Sequence, residues 1–519
     1  MSFDLLRRRF AGVICLGIAA PVLTALGWGG QTPAGRTPAP NPPGLARYIY
    51  GARHCKGCHD QKNNPTYKAE ELEGWICQMV EFDTFDKQDK HKLAFAALTG
   101  SRGQQMSKLL NTDVTKIEAC LNCHSVPARV SESQSYTRET DGVTCVACHG
   151  AHAEWVEKHQ RASKEWHDLD RKDKERRFGM TDLWDPVRRA ETCASCHVGN
   201  FAQGKVVTHA MYAAGHPPLP GFETATFGDL QPRHWQYLRE KTPERLSRLN
   251  RPDPHNLEQT QLVRISGLVV LRDWMTLFAE QASTSKPDPV GAQWPDFARF
   301  DCYACHHELQ AKDGVSWRQV RRRDGHPGRP TAPEWPLILI QLGIQAANPE
   351  QAALRETQFK QHLAEFHESM KVRPFGDPEK VIPAARKTAA WANSLLKSMN
   401  QTTLDAAQAR KLLEKLCTMA RQSIPDYDSA RQIAWAFRVI YRESTSKDKR
   451  DALIEHVLAD LEADLALNLP SAAEQVPIEK TLPDRLRKIA DFDPESFQAH
   501  FEMIAERIAP PAAIPPARR

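Results

Sequence analysis

Five copies of the pentapeptide Cys-x-x-Cys-His constrain this chain more than any other feature of its sequence. Two thiols three residues apart lie on one side of a helical turn, and the imidazole that follows points from the same face. Haem c is attached in this way, through two thioether bonds and one axial ligand. The motifs are Cys55–Cys58–His59, Cys120–Cys123–His124, Cys145–Cys148–His149, Cys193–Cys196–His197 and Cys302–Cys305–His306. The sequence therefore predicts five covalent haem c groups.

Zinc binding and disulfide bonding explain the same cysteines less well. Ten of the 13 cysteines belong to the five motifs. Two Cys-x-x-Cys pairs can bind zinc tetrahedrally, but five pairs leave one over, and zinc does not require the histidine after each pair. Disulfide frameworks do not use this short spacing. Cys417 lies in a helical region far from the motifs, and we expect it to be a buried core thiol.

The first residues of the chain predict export. Arg7, Arg8 and Arg9 precede an apolar run from Phe10 to about Leu26, which is the order of charges and apolar residues in a signal peptide. No clean cleavage site follows, and the run is almost long enough for a membrane anchor. A signal peptide and an N-terminal anchor both stay open. Because haem c is attached outside the cytoplasm, we expect a periplasmic or equivalent extracytoplasmic location, with membrane anchoring as an option.

Hydrophobic spacing predicts a mainly α protein with little sheet. A multihaem cytochrome c fold is followed by a separate helical C-terminal domain, in which apolar residues recur at helical spacing. The predicted segments are 1–29 (signal peptide or anchor), 30–46 (Pro-rich linker), 47–310 (five-haem cytochrome c domain), 311–336 (basic Pro/Gly linker), 337–508 (helical domain) and 509–519 (Pro-rich tail). The formal net charge of +5 is too small to indicate nucleic acid, and charge predicts no other partner. Haems that transfer electrons would instead meet redox partner proteins.

The histidines outside the motifs are the candidates for the second axial ligand. A second histidine makes the iron six-coordinate and suited to electron transfer, whereas an open side allows a substrate to bind. His91 begins a short apolar helix, and His159 lies on a helix after Trp155. His209 and His216 are seven residues apart and share nearly one helical face, so at least one should be a ligand, with His216 preferred. The histidines without an assignment include His152, His167, His234, His255 and His326.

Residues 47–220 resemble the cytochrome c-554 family. The resemblance rests on the segment Gly142–Gly150 around the third motif, on His159 ten residues after His149, and on Trp75 and the stretch His91-Lys92-Leu93-Ala94-Phe95 after the first motif. It implies a mainly helical fold with closely packed haem pairs.

The resemblance also implies which histidines share a haem, because distal ligands cross between motifs in this family. On this chain His159 would face His59, and His91 would face His149. The second haem of the family has no distal protein ligand, and the matching position here is His124. This haem is therefore expected to have an open side.

The fourth and fifth motifs would share the two remaining candidates. The haem at His197 would take His216 or His209. The fifth motif has no counterpart in the family, and its haem at His306 would take whichever of the two is left. The helical C-terminal region has no counterpart in the family either.

Three functions compete at this stage. The first is electron transfer through closely packed, mostly bis-histidine haems. The second is an oxidoreductase acting on a small nitrogen or sulfur compound at the open-sided haem of His124, with no other catalytic residue assigned. The third is a docking subunit that binds its partner through residues 337–508. A high-spin haem signal would separate the second function from the first.

Overall fold

The computed structural model describes residues 50–60, 78–126, 136–160, 166, 169–248, 256–284, 294–302, 305–306, 330–345, 349–399, 404–422, 426–466 and 492–508. This part of the chain is mainly helical, which confirms the predicted fold class, and it contains an isolated antiparallel bridge between Asn200 and Lys205. None of the helices in these ranges combines the length and the apolar character needed to cross a membrane. The predictions for residues 1–46 and 509–519 and most of the basic linker lie outside the described residues.

The part of the chain that carries the first four motifs consists of short helices joined by irregular segments. The α-helices are Ala52–His59, Glu81–Gln88, Ala96–Thr99, Ser101–Leu109, Glu118–His124, Arg138–Asp141, Cys145–His149, Ala153–Gln160, Arg171–Phe178, Pro186–His197, His209–Ala214, Thr224–Leu230 and Pro243–Arg248. Short 3-10 helices cover Lys90–Leu93, Phe201–Gln203, Leu238–Glu240 and Phe297–Arg299. Before residue 180 the apolar clusters between these helices are small. Protein side chains alone therefore give this region little core.

A long helix, Glu258–Ser283, runs through the middle of the molecule and is called the central helix below. It is buried on almost every side, as expected of a helix that is apolar all round. Its N-terminus is capped from another helix: the Glu443 carboxylate accepts hydrogen bonds from the backbone N–H groups of Gln259 (2.9 Å) and Thr260 (2.7 Å). Such a cap satisfies backbone donors that the helix itself leaves unpaired.

The C-terminal region is a bundle of longer helices. They are Trp335–Ile338, Ile340–Ile344, Pro349–Lys371, Pro378–Met399, Ala406–Arg421, Tyr427–Ser444, Ala452–Asp464 and Pro494–Ile508, with a 3-10 helix at Lys447–Lys449. Aspartate side chains cap three of them at Asp405, Asp426 and Asp451. Cys417 is buried inside this bundle, as the sequence predicted.

One apolar core joins the bundle to the central helix and to the helix of the fourth motif. Its members run from Ala190 to Ile504. Helix Pro378–Met399 packs along the central helix. At Gly267 the chain around Leu339 approaches so closely that an added Cβ would lie 2.8 Å from the Leu339 Cβ. Apolar residues on both sides of residue 337 thus belong to the same core, and residues 34–519 group as one compact unit.

Candidate haem-attachment sites

The first four motifs each lie at the end of a helix. Helices Ala52–His59, Glu118–His124, Cys145–His149 and Pro186–His197 all end at the histidine of a motif. Both thiols and the imidazole thus belong to the last turn, which is the local geometry that haem attachment needs. At the fifth motif, the backbone N–H of His306 donates to the carbonyl of Cys302 (2.8 Å), which is also a helical-type turn.

Each motif histidine faces a second histidine ring. The distances between ring centres are 6.3 Å for His59–His159, His197–His91, His124–His216 and His306–His209, and 6.4 Å for His149–His234. Metal–imidazole bonds are about 2.0–2.1 Å long and each nitrogen lies about 1.2 Å from its ring centre, so one metal ion between two imidazoles separates the ring centres by about 6.4–6.6 Å, close to the distances found here. The residues present therefore fit an iron atom between the two rings of every pair.

The pair His59–His159 agrees with the resemblance, but His91 does not face the expected partner. Its ring lies opposite His197 rather than His149. Asp89 caps the 3-10 helix Lys90–Leu93 and accepts a hydrogen bond from Nδ1 of His91 at 2.8 Å. This contact fixes the ring orientation and leaves Nε2 for the fourth motif.

His216 and His209 also take partners other than those expected. His216 faces His124, where an open side was expected, and His209 faces His306. The expectation that the two histidines share one helical face fails because the helix His209–Ala214 ends before His216. Gly215 then adopts a left-handed conformation with φ of 118°, which glycine tolerates at little steric expense. The turn sends the two rings to different motifs.

His234 is the partner that the sequence did not identify. Its ring lies opposite His149, in an irregular segment after the helix Thr224–Leu230. The side chain of Gln231 anchors this segment by donating a hydrogen bond to Asp89 Oδ2 at 2.9 Å. Because this segment is not helical, hydrophobic spacing could not identify His234 as a partner of His149. The neighbouring Trp235 is the one sequence feature that indicates a packed position.

Hydrogen bonds orient several of these rings through Nδ1. The acceptors are Glu81 for His59 (3.0 Å), Asp89 for His91 (2.8 Å), and backbone carbonyls for His124 (Ala94, 2.7 Å), His159 (Trp155, 3.2 Å), His216 (Pro217, 2.7 Å) and His234 (Pro232, 3.4 Å). A histidine that binds a metal typically donates its other N–H to such an acceptor, which fixes the tautomer and makes the ring a stronger ligand. In these six rings Nε2 is thus left for the metal.

Burial keeps most of the rings in the neutral form that binds metals. It lowers the pKa of His149 to about 3 and the pKa values of His197 and His216 to about 4. His91 differs: burial lowers its pKa, but the hydrogen bond and charge of Asp89 outweigh burial and leave the pKa above its usual value. Burial raises the pKa of Asp89, but His91 dominates and brings it to about 2.

Asp89→Asn is expected to raise the reduction potential of the haem held by His197 and His91. A carboxylate bonded to Nδ1 makes the imidazole a stronger donor and stabilises ferric iron. Loss of the Asp89 carboxylate should raise the reduction potential by about 59 mV, which corresponds to a tenfold change in the equilibrium constant for one electron. Spectroelectrochemical titration measures the shift. Asp86→Asn is the control, since exposed Asp86 pairs with Lys92 instead, and equal shifts in both variants would contradict the assignment.

The cysteines of different motifs approach one another in a defined order. The Cys55 thiol is within hydrogen-bond range of Cys145, which raises the pKa of Cys55 and lowers that of Cys145. Cys123 and Cys196 form a second such pair. The first motif thus adjoins the third, and the second adjoins the fourth.

Two further contacts extend this order. Charge on Cys193 and Cys196 adds to the effect of burial in raising the pKa of Cys148, so the third motif lies near the fourth. The short segment from His209 to His216 serves both the fifth and the second motif. The attachment sites therefore follow the order first, third, fourth, second, fifth.

The two ends of this order are the most exposed. Cys58 of the first motif and both Cys302 and Cys305 of the fifth are exposed, whereas the described cysteines of the three inner motifs are buried or half-buried.

The comparisons with known proteins agree with the motifs. Residues 54–150, which contain the first three motifs, match the family model of cytochrome c554 and c-prime. Comparisons with curated proteins and with solved structures found no match. A c-type cytochrome carries covalently bound haem c and takes part in electron transfer. The match of residues 54–150 thus shows that this part of the chain is similar to the cytochrome c554 and c-prime family, and it supports a c-type cytochrome.

Proposed function

We propose that this chain is an exported pentahaem c-type cytochrome in which all five irons have two histidine ligands. The observation that carries the proposal is the set of five histidine pairs with ring centres 6.3–6.4 Å apart, one at each motif. When bound, haem c supplies an iron centre that accepts and releases one electron. The ten motif cysteines hold the five groups covalently, and the histidine pairs keep the iron coordination the same in both oxidation states.

Electrons pass between the two exposed ends along the order of the attachment sites. Redox partner proteins meet the chain at the first motif, beside Cys58, and at the fifth motif, beside Cys302 and Cys305. The cysteines of the inner motifs are buried or half-buried, which favours transfer along the chain over loss to small oxidants. This path runs from one end of the molecule to the other without a branch.

The alternative of catalysis at the His124 haem loses its supporting observation. It depended on an open side, and the ring of His216 faces His124 at 6.3 Å. Burial and the nearby His124 ring lower the pKa of His216 to about 4, so its imidazole is neutral and able to bind iron at physiological pH. Electron transfer is therefore the function that the geometry supports best.

The purified protein is expected to carry five haems, all of them low-spin. Mass spectrometry of the intact chain should show five added porphyrins, because thioether bonds survive denaturation. The reduced spectrum should not change with carbon monoxide, since no iron has an open side. Cys302→Ala/Cys305→Ala is the control and should lose one porphyrin. Fewer than five porphyrins, or a carbon monoxide band in the unmodified protein, would contradict the proposal.

Export is part of the same proposal. The charged and apolar segments of residues 1–29 support it, and haem c attachment requires an extracytoplasmic location. The intact mass of the same sample separates a cleaved signal peptide from a retained membrane anchor. A porphyrin-containing chain recovered from the cytoplasm would overturn export while leaving the haem sites in place.

A further inference from the structure

A cavity lies where the fourth and fifth motifs meet the C-terminal bundle. Its walls include His197 and Cys302 from the two motifs, Trp274 from the central helix, Arg299, and the beginning of helix Tyr427–Ser444. The walls thus come from parts of the chain that are far apart in sequence.

Arg299 lines this cavity with two unused hydrogen-bond donors. Its side chain is 2 % exposed. Nη2 donates to the carbonyl of Val207 at 2.7 Å, and the guanidinium stacks 4.9 Å from the ring centre of Trp274. Nε and Nη1 have no hydrogen-bond partner among the described residues, and Nε1 of Trp274, which is 6 % exposed, has none there either. Three buried N–H groups therefore share one cavity.

None of the carboxylates that line the cavity neutralises Arg299. Asp301, Asp426 and Asp428 belong to its walls, but none of them lies within ion-pair distance of Arg299 in the described part of the chain. Asp426 accepts a hydrogen bond from the Ser429 N–H at 2.7 Å, and Asp428 pairs with Arg431 at 2.9 Å. Among the described residues Arg299 therefore forms no ion pair, and the charge of the buried Asp296 acts on it only at longer range.

A buried, unpaired guanidinium is strongly destabilising, because its desolvation is not offset by an opposite charge. A carboxylate offsets it best, since its two oxygens match the parallel N–H groups of arginine. The nearest source of such a group is haem, which carries propionate carboxylates. The adjacent motif residues His197 and Cys302 put haem attachment sites directly on this cavity.

We infer that Arg299 and Trp274 form an internal carboxylate site that binds a haem propionate. The inference rests on the proposed function, because it requires haem c at these motifs. The propionate comes either from the haem attached to Cys302 and Cys305 or from a neighbouring haem. In both cases Arg299 is a positioning residue that places a positive charge beside a haem and disfavours its ferric form.

Arg299→Gln is expected to lower the reduction potential of one haem and to leave the other four unchanged. The shift should correspond to about tenfold in the equilibrium constant, or about 59 mV for one electron. Arg299→Lys should restore most of the potential because it keeps the charge. Trp274→Phe should produce a smaller shift in the same direction, since it removes one donor and preserves the packing.

Arg264→Gln is the matched control. Arg264 is also a buried arginine of the same core, but its donors are satisfied by the carbonyls of Leu342 and Gln345 and by the side chain of Gln261. Its replacement should lower the stability of the protein without shifting any of the five potentials. The comparison separates loss of a buried arginine from loss of a propionate contact.

The source of the propionate is identified in the variant that lacks the fifth haem, Cys302→Ala/Cys305→Ala. If the fifth haem provides it, Arg299→Gln in this background should shift none of the four remaining potentials. A shift that persists assigns the carboxylate to a neighbouring haem.

The inference is overturned if Arg299→Gln and Trp274→Phe keep five porphyrins and all five potentials. Arg299 would then be solvated by water, while the proposed function would stand. If Arg299→Gln does not yield a protein with its haems attached, Trp274→Phe is the remaining test. The inference then requires that one reduction potential shifts in Trp274→Phe. Absence of porphyrin from the unmodified chain would instead remove the proposed function.

Discussion

Replacing His234 by alanine is expected to convert one of five low-spin haems into a high-spin haem. The ring of His234 lies 6.4 Å from that of His149, the separation that an iron between two imidazoles requires. Alanine has no donor atom, so the iron held by His149 would lose its sixth ligand. The reduced protein should then gain a band that responds to carbon monoxide, and the other four haems should stay low-spin.

His152→Ala is the control for this variant. His152 is closer in sequence to the third motif and is also buried, at 8 % exposure. Its ring, however, packs against Gly179, where an added Cβ would lie 2.3 Å from a ring carbon. Its loss should therefore reduce stability without changing spin state. A high-spin haem in His152→Ala but not in His234→Ala would reverse the ligand assignment.

The sequence predicted those features of the sites that depend on local structure. The motif spacing is itself a helical turn, and four of the five motifs are found at helix ends. The resemblance also implied that His159 faces His59, and the two ring centres lie 6.3 Å apart. Within each motif the geometry is set by residues one or two turns away, so neither long-range packing nor loop conformation affects it.

The other histidine pairs depend on long-range packing, which periodicity does not encode. Gly215 ends a helix that the spacing of His209 and His216 suggested would continue. His234 lies in a segment whose position is set by Gln231 and Asp89, a contact between residues far apart in the chain. The resembling family has four haems, so the resemblance gives no histidine partner for the fifth motif. It likewise does not predict that the ring of His216 faces His124.

The C-terminal helices show the same division between local and long-range information. Their apolar stripes were visible in the sequence, and the helices lie where the stripes are. A stripe shows that a helix has a buried face but not which surface covers it. The central helix, predicted within the haem-bearing part, is in fact the surface against which helix Pro378–Met399 packs. Apolar spacing alone therefore did not indicate that the central helix and the C-terminal bundle share one core.

Deletion of residues 337–519 is expected to abolish soluble haem protein. Helix Pro378–Met399 and residues 339–344 cover the central helix, and Glu443 caps its N-terminus. Removing a single large buried side chain typically destabilises by about 2–5 kcal/mol, whereas whole domains are stable by about 5–15 kcal/mol. Exposing the face of the central helix that includes Leu268 would therefore destabilise the protein by more than its total stability. Haem content per chain and yield of soluble protein measure the effect, and deletion of residues 509–519 alone should leave both unchanged. A soluble truncated chain with five haems and an unaltered melting temperature would show instead that residues 337–508 are an independent domain, because only a core that closes without them could retain its haems.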